Sequence, residues 1–384
     1  MEERIAALEK AIKDLASENS SLKQDISFLK NKISALETKN QDYASRIKNL
    51  EKNEENNKIQ NKLSNAPKLD IKNDHKDWIN TIVIINGRSI ITGSKDCTIK
   101  CLQYGEEPPI LFTIEKAHER EIQYIMKIDE NNIISCGDDG QIKRWYINCS
   151  YSFEKIERYK LLETFLINNS PKVHQNVYKI IKLKNGDLCS CGKDSTIKFW
   201  KNNKDTDKHE NYKILKCEAE YVQSVLELEN DKLVAGGWHN TQFFDIKNFK
   251  SETNIKNTFT ENANCMIRMG DKIICSGWGI FFIDIKTQQL ISTIQIEYED
   301  EEGIYCMAPI NDHLFICGSN LRTIDIYDVN NCEKVASRPV DDEFIFDVKF
   351  MHDVYFFCGS KNTFAYILNE LIDKKSENEE EEED

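Results

Sequence analysis

From Ile5 to Leu50, apolar side chains return at alternating steps of three and four residues. With Ile5 as position a and Leu8 as position d, the a series is Ile5, Ile12, Asn19, Ile26, Ile33, Asn40 and Ile47. The d series is Leu8, Leu15, Leu22, Leu29, Leu36, Tyr43 and Leu50. Seven heptads without a Gly or Pro predict one α-helix. The strict 3.5-residue period predicts a left-handed supercoil with a partner helix, a rod of roughly 70 Å at 1.5 Å per residue. Isoleucine at a with leucine at d favours two parallel strands, and Asn19 and Asn40 fix the register by pairing across the seam. The g-to-e pairs of a parallel dimer are Arg4–Glu9, Glu18–Lys23, Asp25–Lys30, Lys32–Glu37 and Arg46–Glu51, with Ala11–Ala16 and Lys39–Ala44 neutral. None repels, so the helix complements itself, and a one-signed set selects partner and orientation. A coiled coil with a different protein and a lone solvated helix folded back on its own domain are the alternatives. Residues 1–52 are thus read as a dimerising coiled coil. Residues 53–67, rich in Asn, Lys and Glu and without the apolar positions, are read as a linker, frayed helix passing into coil.

At residue 68 the period changes. Apolar strands begin at Ile79, Ile122, Val177, Val222, Ala263, Ile304 and Ile345, spaced by 43, 55, 45, 41, 41 and 41 residues. About 13 residues into each unit a second strand ends in small residues: Thr92-Gly93-Ser94, Ser135-Cys136-Gly137, Ser190-Cys191-Gly192, Ala235-Gly236-Gly237, Cys275-Ser276-Gly277, Ile316-Cys317-Gly318 and Phe357-Cys358-Gly359. A tight turn, a third strand and a more variable fourth follow. A period of 41 to 45 residues with four strands per unit predicts a ring of small sheets. The last unit runs out of repeat after Leu368, while Lys68-Leu69-Asp70-Ile71 reads as a spare strand. Completing the last sheet with this first strand would lock the ring and protect its edges.

The second unit carries His118 in the turn before its first strand, then Ser135-Cys136-Gly137-Asp138-Asp139-Gly140 and Trp145. It resembles the GH…SGSxDGTIxxWD pattern of the WD40-repeat family, and the likeness covers residues 68 to about 370. The resemblance implies an all-β seven-bladed WD40 propeller (68–372), here preceded by a long α-helical parallel coiled coil. It also implies a buried hydrogen-bonded network of His118, Ser135, Asp139 and Trp145, and a second of His174, Ser190, Asp194 and Trp200. The first unit offers His75, Thr92 and Asp96, with Leu102 in place of the tryptophan. In units four to seven Phe244, Ile283, Tyr327 and Ile367 stand at the tryptophan position and the turn aspartate is absent.

Composition narrows the function. Fifty-one basic against 65 acidic residues give a net charge of −14, which argues against a nucleic-acid-binding protein or one docking on an anionic membrane. Half of the acidity is local, because residues 377–384 carry seven acidic side chains in eight; residues 373–384 are read as a disordered tail. No run approaches 18 apolar residues and the N-terminus has no apolar leader, so no membrane insertion is expected and a cytoplasmic location is, with nucleus or cytoskeleton as alternatives. Thirteen cysteines in strand patterns read as reduced thiols. Cys136, Cys191, Cys275, Cys317 and Cys358 are assigned to one repeat position that needs a small side chain. No phosphate loop, HExxH or GxSxG occurs, and the histidines fall in turns, so no enzyme activity, cofactor or metal is expected.

The binding candidates lie at one end of the ring, the narrower face. Trp78 precedes the first strand of unit one; Trp238 and Trp278 sit in turns between second and third strands. Tyr178, Tyr305 and Phe346 open inner strands, and Lys95, Lys193 and Lys361 share one turn position. Aromatics around a channel mouth are the usual composition of a binding hot spot. The competing role for these rings is to cap blades that lack a full network, and an aromatic at the Trp78 position is common in that family. Residues 148–175 hold an insert with Tyr151, Phe153, Tyr159, Leu161, Leu162 and Phe165, either a longer outer hairpin or a further binding element. The expectation is a homodimeric scaffold or adaptor whose narrow face holds an unknown protein or peptide ligand. A ubiquitin-ligase substrate receptor and a G-protein β-like signalling subunit are the alternatives.

Overall fold

The computed structural model describes residues 2–66, 68–72, 74–103, 110–150, 157–256, 263–296, 303–319, 321–340, 344–351, 354–359 and 363–367. The chain divides into two compact units, Met1–Lys58 and Ile59–Asp384. The first is helix throughout its described length. Its helix, Glu2–Asn65, runs on into the second unit. Along the first unit the heptad residues Ile5, Leu8, Ile12, Leu15, Leu22, Leu29, Ile33, Leu36, Tyr43, Ile47 and Leu50 are all exposed, each by more than half of its surface.

Residues 53–65, read from sequence as frayed helix passing into coil, are helical to Asn65. Two causes are visible. The segment contains good helix formers and neither Gly nor Pro. Its last turns also have a surface to cover: Ile59, Leu63 and Ala66, spaced for one helix face, join the core of the outer strand Glu333–Pro339 with Ala336 and Val340. Leu63 is fully buried. The Gln60 amide donates to the Ser337 carbonyl and accepts from the Ser337 N–H, both at 2.8 Å. Arg338 Nη1 donates to the carbonyls of Leu63 and Ala66 at 2.7 Å each, so acceptors left over at the helix C-terminus are satisfied by a cation.

The rest of the second unit is a β-propeller. Among the described residues the strands form seven antiparallel four-stranded sheets, here blades 1 to 7. The innermost strands are Ile79–Ile84, Ile122–Asp129, Val177–Lys182, Val222–Glu227, Cys265–Met269, Ile304–Pro309 and Ile345–Met351. Each packs beside the next, and the last packs beside the first, so the ring closes. Closure uses the spare strand as the sequence suggested: Lys68–Ile71 pairs antiparallel with Thr363–Ile367, Lys68 opposite Tyr366 and Ile71 opposite Thr363. Blade 7 thus takes its outer strand from the front of the chain. Opening the ring would require that strand to leave the ladder.

The ladders correct two one-residue assignments. Cys136, Cys191 and Cys358 do share a position, opposite Tyr124, Lys179 and Asp347. Cys275 and Cys317 instead lie opposite Met266 and Met307, where blade 2 has Ser135 opposite Ile125. They occupy the serine position of the network. In blade 7 the residue in register with Trp145 is Tyr366, opposite Tyr355, rather than Ile367. Small residues and apolar alternation look the same after a slip of one, so only the pairing distinguishes them.

The described part of the insert is an outer strand of blade 2 whose Tyr159, Leu161 and Leu162 are exposed, while its end packs between blades. Tyr159–Thr164 is the outer strand of blade 2, and the following Phe165 is fully buried against Trp200 of blade 3, ring centroids 5.1 Å apart, and stacked on His209 at 4.6 Å. Arg144 and His209 converge on the buried Glu163, which ties the same two blades. Tyr151 and Phe153 lie outside the described residues.

Candidate functional site

Blades 1 to 3 carry a rigid polar frame beneath the narrow face. In blade 2, His118 Nδ1 faces Asp139 at 2.9 Å and Nε2 faces Ser135 Oγ at 2.7 Å. Trp145 Nε1 donates to the same Ser135 Oγ at 2.9 Å. The chemistry sets the tautomer: Nδ1–H donates to the carboxylate, so Nε2 accepts the serine proton while the serine oxygen accepts the indole N–H. Asp139 also accepts from the backbone N–H of Glu119 and of Gln141, at 3.0 and 2.9 Å. Blade 3 repeats the arrangement with His174–Asp194 at 2.7 Å, His174–Ser190 at 2.9 Å and Trp200–Ser190 at 2.9 Å. Blade 1 has His75–Asp96 and His75–Thr92, both 2.9 Å, and a buried Leu102 instead of an indole donor.

Burial pushes the His118 and His174 pKa values down, a shift their carboxylates only partly offset. Burial pushes Asp139 and Asp194 up, but the histidine hydrogen bond and charge, together with the other hydrogen bonds each carboxylate accepts, outweigh it and both end below the ordinary range. All three frames hold a lysine on the third strand, at the same register. Lys100 Nζ donates to Asp74 O and Lys143 Nζ to Ala117 O, the carbonyl preceding each histidine. Lys198 turns instead to Asp194 and His174. The recurring Ile-Lys pair in Ile99-Lys100, Ile142-Lys143 and Ile197-Lys198 was the readable signal for it.

These frames fix the turns that form the narrow rim. In blades 1 to 4 the N–H after the second strand bonds the carbonyl just before the neighbouring inner strand's start: Lys95 to Trp78, Asp138 to Glu121, Lys193 to Asn176 and Trp238 to Tyr221. The crossing is so close that a Cβ on Gly192 or Gly237 would collide with the Asn176 or Tyr221 carbonyl. Small residues end those strands for that reason.

At the centre of the rim lies a cavity of about 460 Å³. Five of the sequence candidates line it: Trp78, Lys95, Tyr178, Tyr305 and Phe346. Three of them form a crescent over blades 6, 7 and 1. Trp78 stacks on Phe346 at 5.4 Å, Phe346 meets Tyr305 at 5.2 Å, and Lys95 Nζ stands 5.0 Å over the Trp78 ring. Trp78 still leaves 37% of its surface open. Tyr178 lies on the other side of the mouth, its hydroxyl pKa raised to about 12 by burial and the nearby Asp138. It leads to a second aromatic run through Tyr221 to Trp238, with centroid steps of 6.1 and 5.4 Å.

The other candidates are not part of the cavity. Trp238 packs against Tyr221 and His239 outside it. Trp278 is half-buried in its turn with no ring partner among the described residues. Lys193 is exposed on the rim, and Lys361 lies outside the described residues. Asn19 and Asn40 are exposed on the helix of the first unit.

Sequence reasoning missed the opposite wall. The second residue of each inner-strand segment points into the mouth, which brings in Asn80, Gln123, Gln223 and Asn264 beside the aromatics. Asn80 Nδ2 donates to Ile122 O and Asn264 Nδ2 to Ile304 O, which stitches neighbouring blades. One residue further in lie Lys179 and Asp347, with Lys349 beside them. Asp347 spans the ring closure, accepting from Ile82 N at 3.0 Å and Thr81 Oγ1 at 3.3 Å, and pairs with Lys349. Burial would lower the Lys349 pKa, yet the Asp347 carboxylate raises it and keeps the lysine charged. Alternation along seven inner strands predicts this ring of positions once the strand starts are aligned.

Residues 68–101 match the family model described as WD domain, G-beta repeat. The matched stretch begins at the closing strand of blade 7 and contains His75, Thr92 and Asp96 of blade 1. No curated protein matches the chain. No helix among the described residues is long and apolar enough to cross a membrane.

Proposed function

We propose, from the premise that this chain carries a WD40 repeat in a β-propeller that follows a long helix, that it is a non-catalytic scaffold. Its narrow face binds a protein or peptide partner, and its heptads join two copies in parallel. The mouth cavity carries the first half of the reading. A concave site lined by stacked aromatics beside fixed polar groups suits recognition of a partner's side chains. Catalysis has little to work with here. The side chains of His75, His118 and His174 are fully buried in their frames, and the two cavity carboxylates, Glu121 and Asp347, are paired with Lys95 and Lys349.

The exposed heptads support the second half. Eleven large apolar side chains stand open along one register of the helix, and pairing with a second copy would bury them at about 25 cal/mol per Å². Two linked propellers gain avidity for a partner with two sites. Light scattering of the full chain tests this. A mass twice 44.7 kDa is expected, falling to the single mass when Ile12 and Ile33 are both changed to Asp. A single mass for the unaltered chain would overturn the dimer and leave the binding face untouched.

A further inference from the structure

We infer that the mouth cavity selects an acidic peptide: a Glu or Asp side chain inserts toward Lys179 while a neighbouring apolar side chain lies on the Trp78–Phe346–Tyr305 crescent. The inference rests on the narrow face being the partner-binding surface, and adds the chemistry of what enters it.

Among the described residues, five charged groups line the cavity: Lys95, Glu121, Lys179, Asp347 and Lys349. Four are matched. Lys95 and Glu121 lie 3.4 Å apart at the rim, and Lys349 pairs with Asp347, whose other oxygen is taken by Thr81 and Ile82 of blade 1. Lys179 is different. Its Nζ donates to Ser224 Oγ at 3.1 Å and lies 5.9 Å from the Tyr124 ring, and it has no carboxylate partner among the described residues. It sits one residue deeper than the mouth, on the blade 3 inner strand, and is half-buried. An ammonium group has three donors, and hydroxyl and ring contacts leave its charge unneutralised. A cation partly withdrawn from water, with no anion of its own, is a receptor for one.

A second observation lies at the neighbouring position. Gln223 Oε1 is buried and has no hydrogen-bond partner. It lines the same cavity, from blade 4, next to Lys179 of blade 3. A free carbonyl acceptor needs an N–H, and a peptide backbone supplies one within a residue of the inserted side chain. The cavity therefore presents a cation, an unpaired acceptor and an aromatic crescent: contacts for a carboxylate, an amide N–H and an apolar side chain. On a chain of net charge −14 this local positive excess is set against the overall field, so it discriminates between partners more than it attracts them from a distance.

The test uses a phage-displayed random dodecapeptide library panned on the full chain. Fluorescein-labelled copies of the enriched peptides are then titrated by polarisation. The enriched peptides should share an acidic residue within two positions of an aromatic or large aliphatic one. Lys179→Gln should weaken them about tenfold or more, the scale of a charged hydrogen bond, and should not weaken copies in which the acidic residue is changed to Gln or Asn. This peptide-side change keeps the test valid if the protein variant folds poorly. Lys193→Gln, on the exposed rim, should change nothing. Peptides lost with Trp78→Ala but lacking an acidic residue, or indifferent to Lys179→Gln, would overturn the carboxylate inference and leave the narrow-face reading standing. Peptides indifferent to both Trp78→Ala and Lys179→Gln would overturn the narrow-face reading itself.

Discussion

Ser135→Ala removes a single oxygen, and its cost follows from counting what that oxygen holds. Ser135 Oγ is fully buried and satisfies two partners, the His118 Nε2 acceptor at 2.7 Å and the Trp145 indole N–H at 2.9 Å. No water reaches either group to replace it: the His118 side chain is fully buried and Trp145 is 6% exposed. A buried polar group left without a partner costs about 1–3 kcal/mol, so two orphaned groups put Ser135→Ala at about 2–6 kcal/mol. Ser190→Ala should match it, because Ser190 holds His174 and Trp200 in the same way. Blade 1 supplies the internal control. Thr92 Oγ1 faces His75 Nε2, and no indole donates to it because Leu102 stands there. Thr92→Val keeps the side-chain volume and orphans one ring nitrogen, about 1–3 kcal/mol. Urea denaturation of the full chain, followed by tryptophan fluorescence, measures all three, provided the m-values stay equal. Thr92→Val should cost roughly half as much as the two serine variants. A Thr92→Val loss as large as the Ser135→Ala loss, or a Ser135→Ala loss below about 1 kcal/mol, would refute the shared-oxygen argument.

Acid should destabilise the propeller well above carboxylate pH. His118 and His174 have folded pKa values below the ordinary 6.5, so below that pH the unfolded chain takes up protons that the folded chain refuses. Stability should fall by up to about 1.4 kcal/mol per pH unit for each histidine as pH drops below 6.5. Asp139 and Asp194, with depressed folded values, add a further loss below the ordinary 3.8. A urea midpoint unchanged between pH 7.5 and 5 would contradict this. Leu63→Ala should cost about 2–5 kcal/mol of local docking, abolishing hydrogen-exchange protection over residues 59–65 while the propeller's melting temperature holds; protection that persists would mean the helix end does not depend on that contact. Cys101 Sγ and Cys149 Sγ lie 3.4 Å apart, and a disulfide needs about 2.05 Å. Diamide, which takes up the two electrons and two protons that the thiols release, should therefore join this pair ahead of the other cysteines, read as one cross-linked peptide by mass spectrometry. Cross-links elsewhere with both of these thiols still free would contradict the contact.

The parts of this chain legible beforehand are those where one physical requirement repeats. Four-strand units, the spare closing strand at Lys68–Ile71 and the three histidines are periodic features, and a period survives errors at single residues. The misreadings are local. Ile59, Leu63 and Ala66 are too few and too far past the last heptad to register as periodic, so the helix end reads as frayed, with nothing to dock on, until the outer strand Glu333–Pro339 is placed beside it. Cys275 and Cys317 slipped by one residue because a buried thiol suits either of two adjacent positions.

The mouth shows the same boundary from the functional side. Trp78, Tyr305 and Phe346 could be named early, since large aromatics at strand starts are conspicuous. Their partners across the cavity were not, because Asn80, Gln123, Gln223 and Asn264 look like ordinary surface amides until seven strands converge on one axis. Lys179 is harder still. Its importance lies in lacking a carboxylate when the neighbouring Lys95 and Lys349 each have one. An unmet charge belongs to the arrangement and not to any residue, and pairing of the cavity's other cations is what turns this one lysine into a test of partner choice.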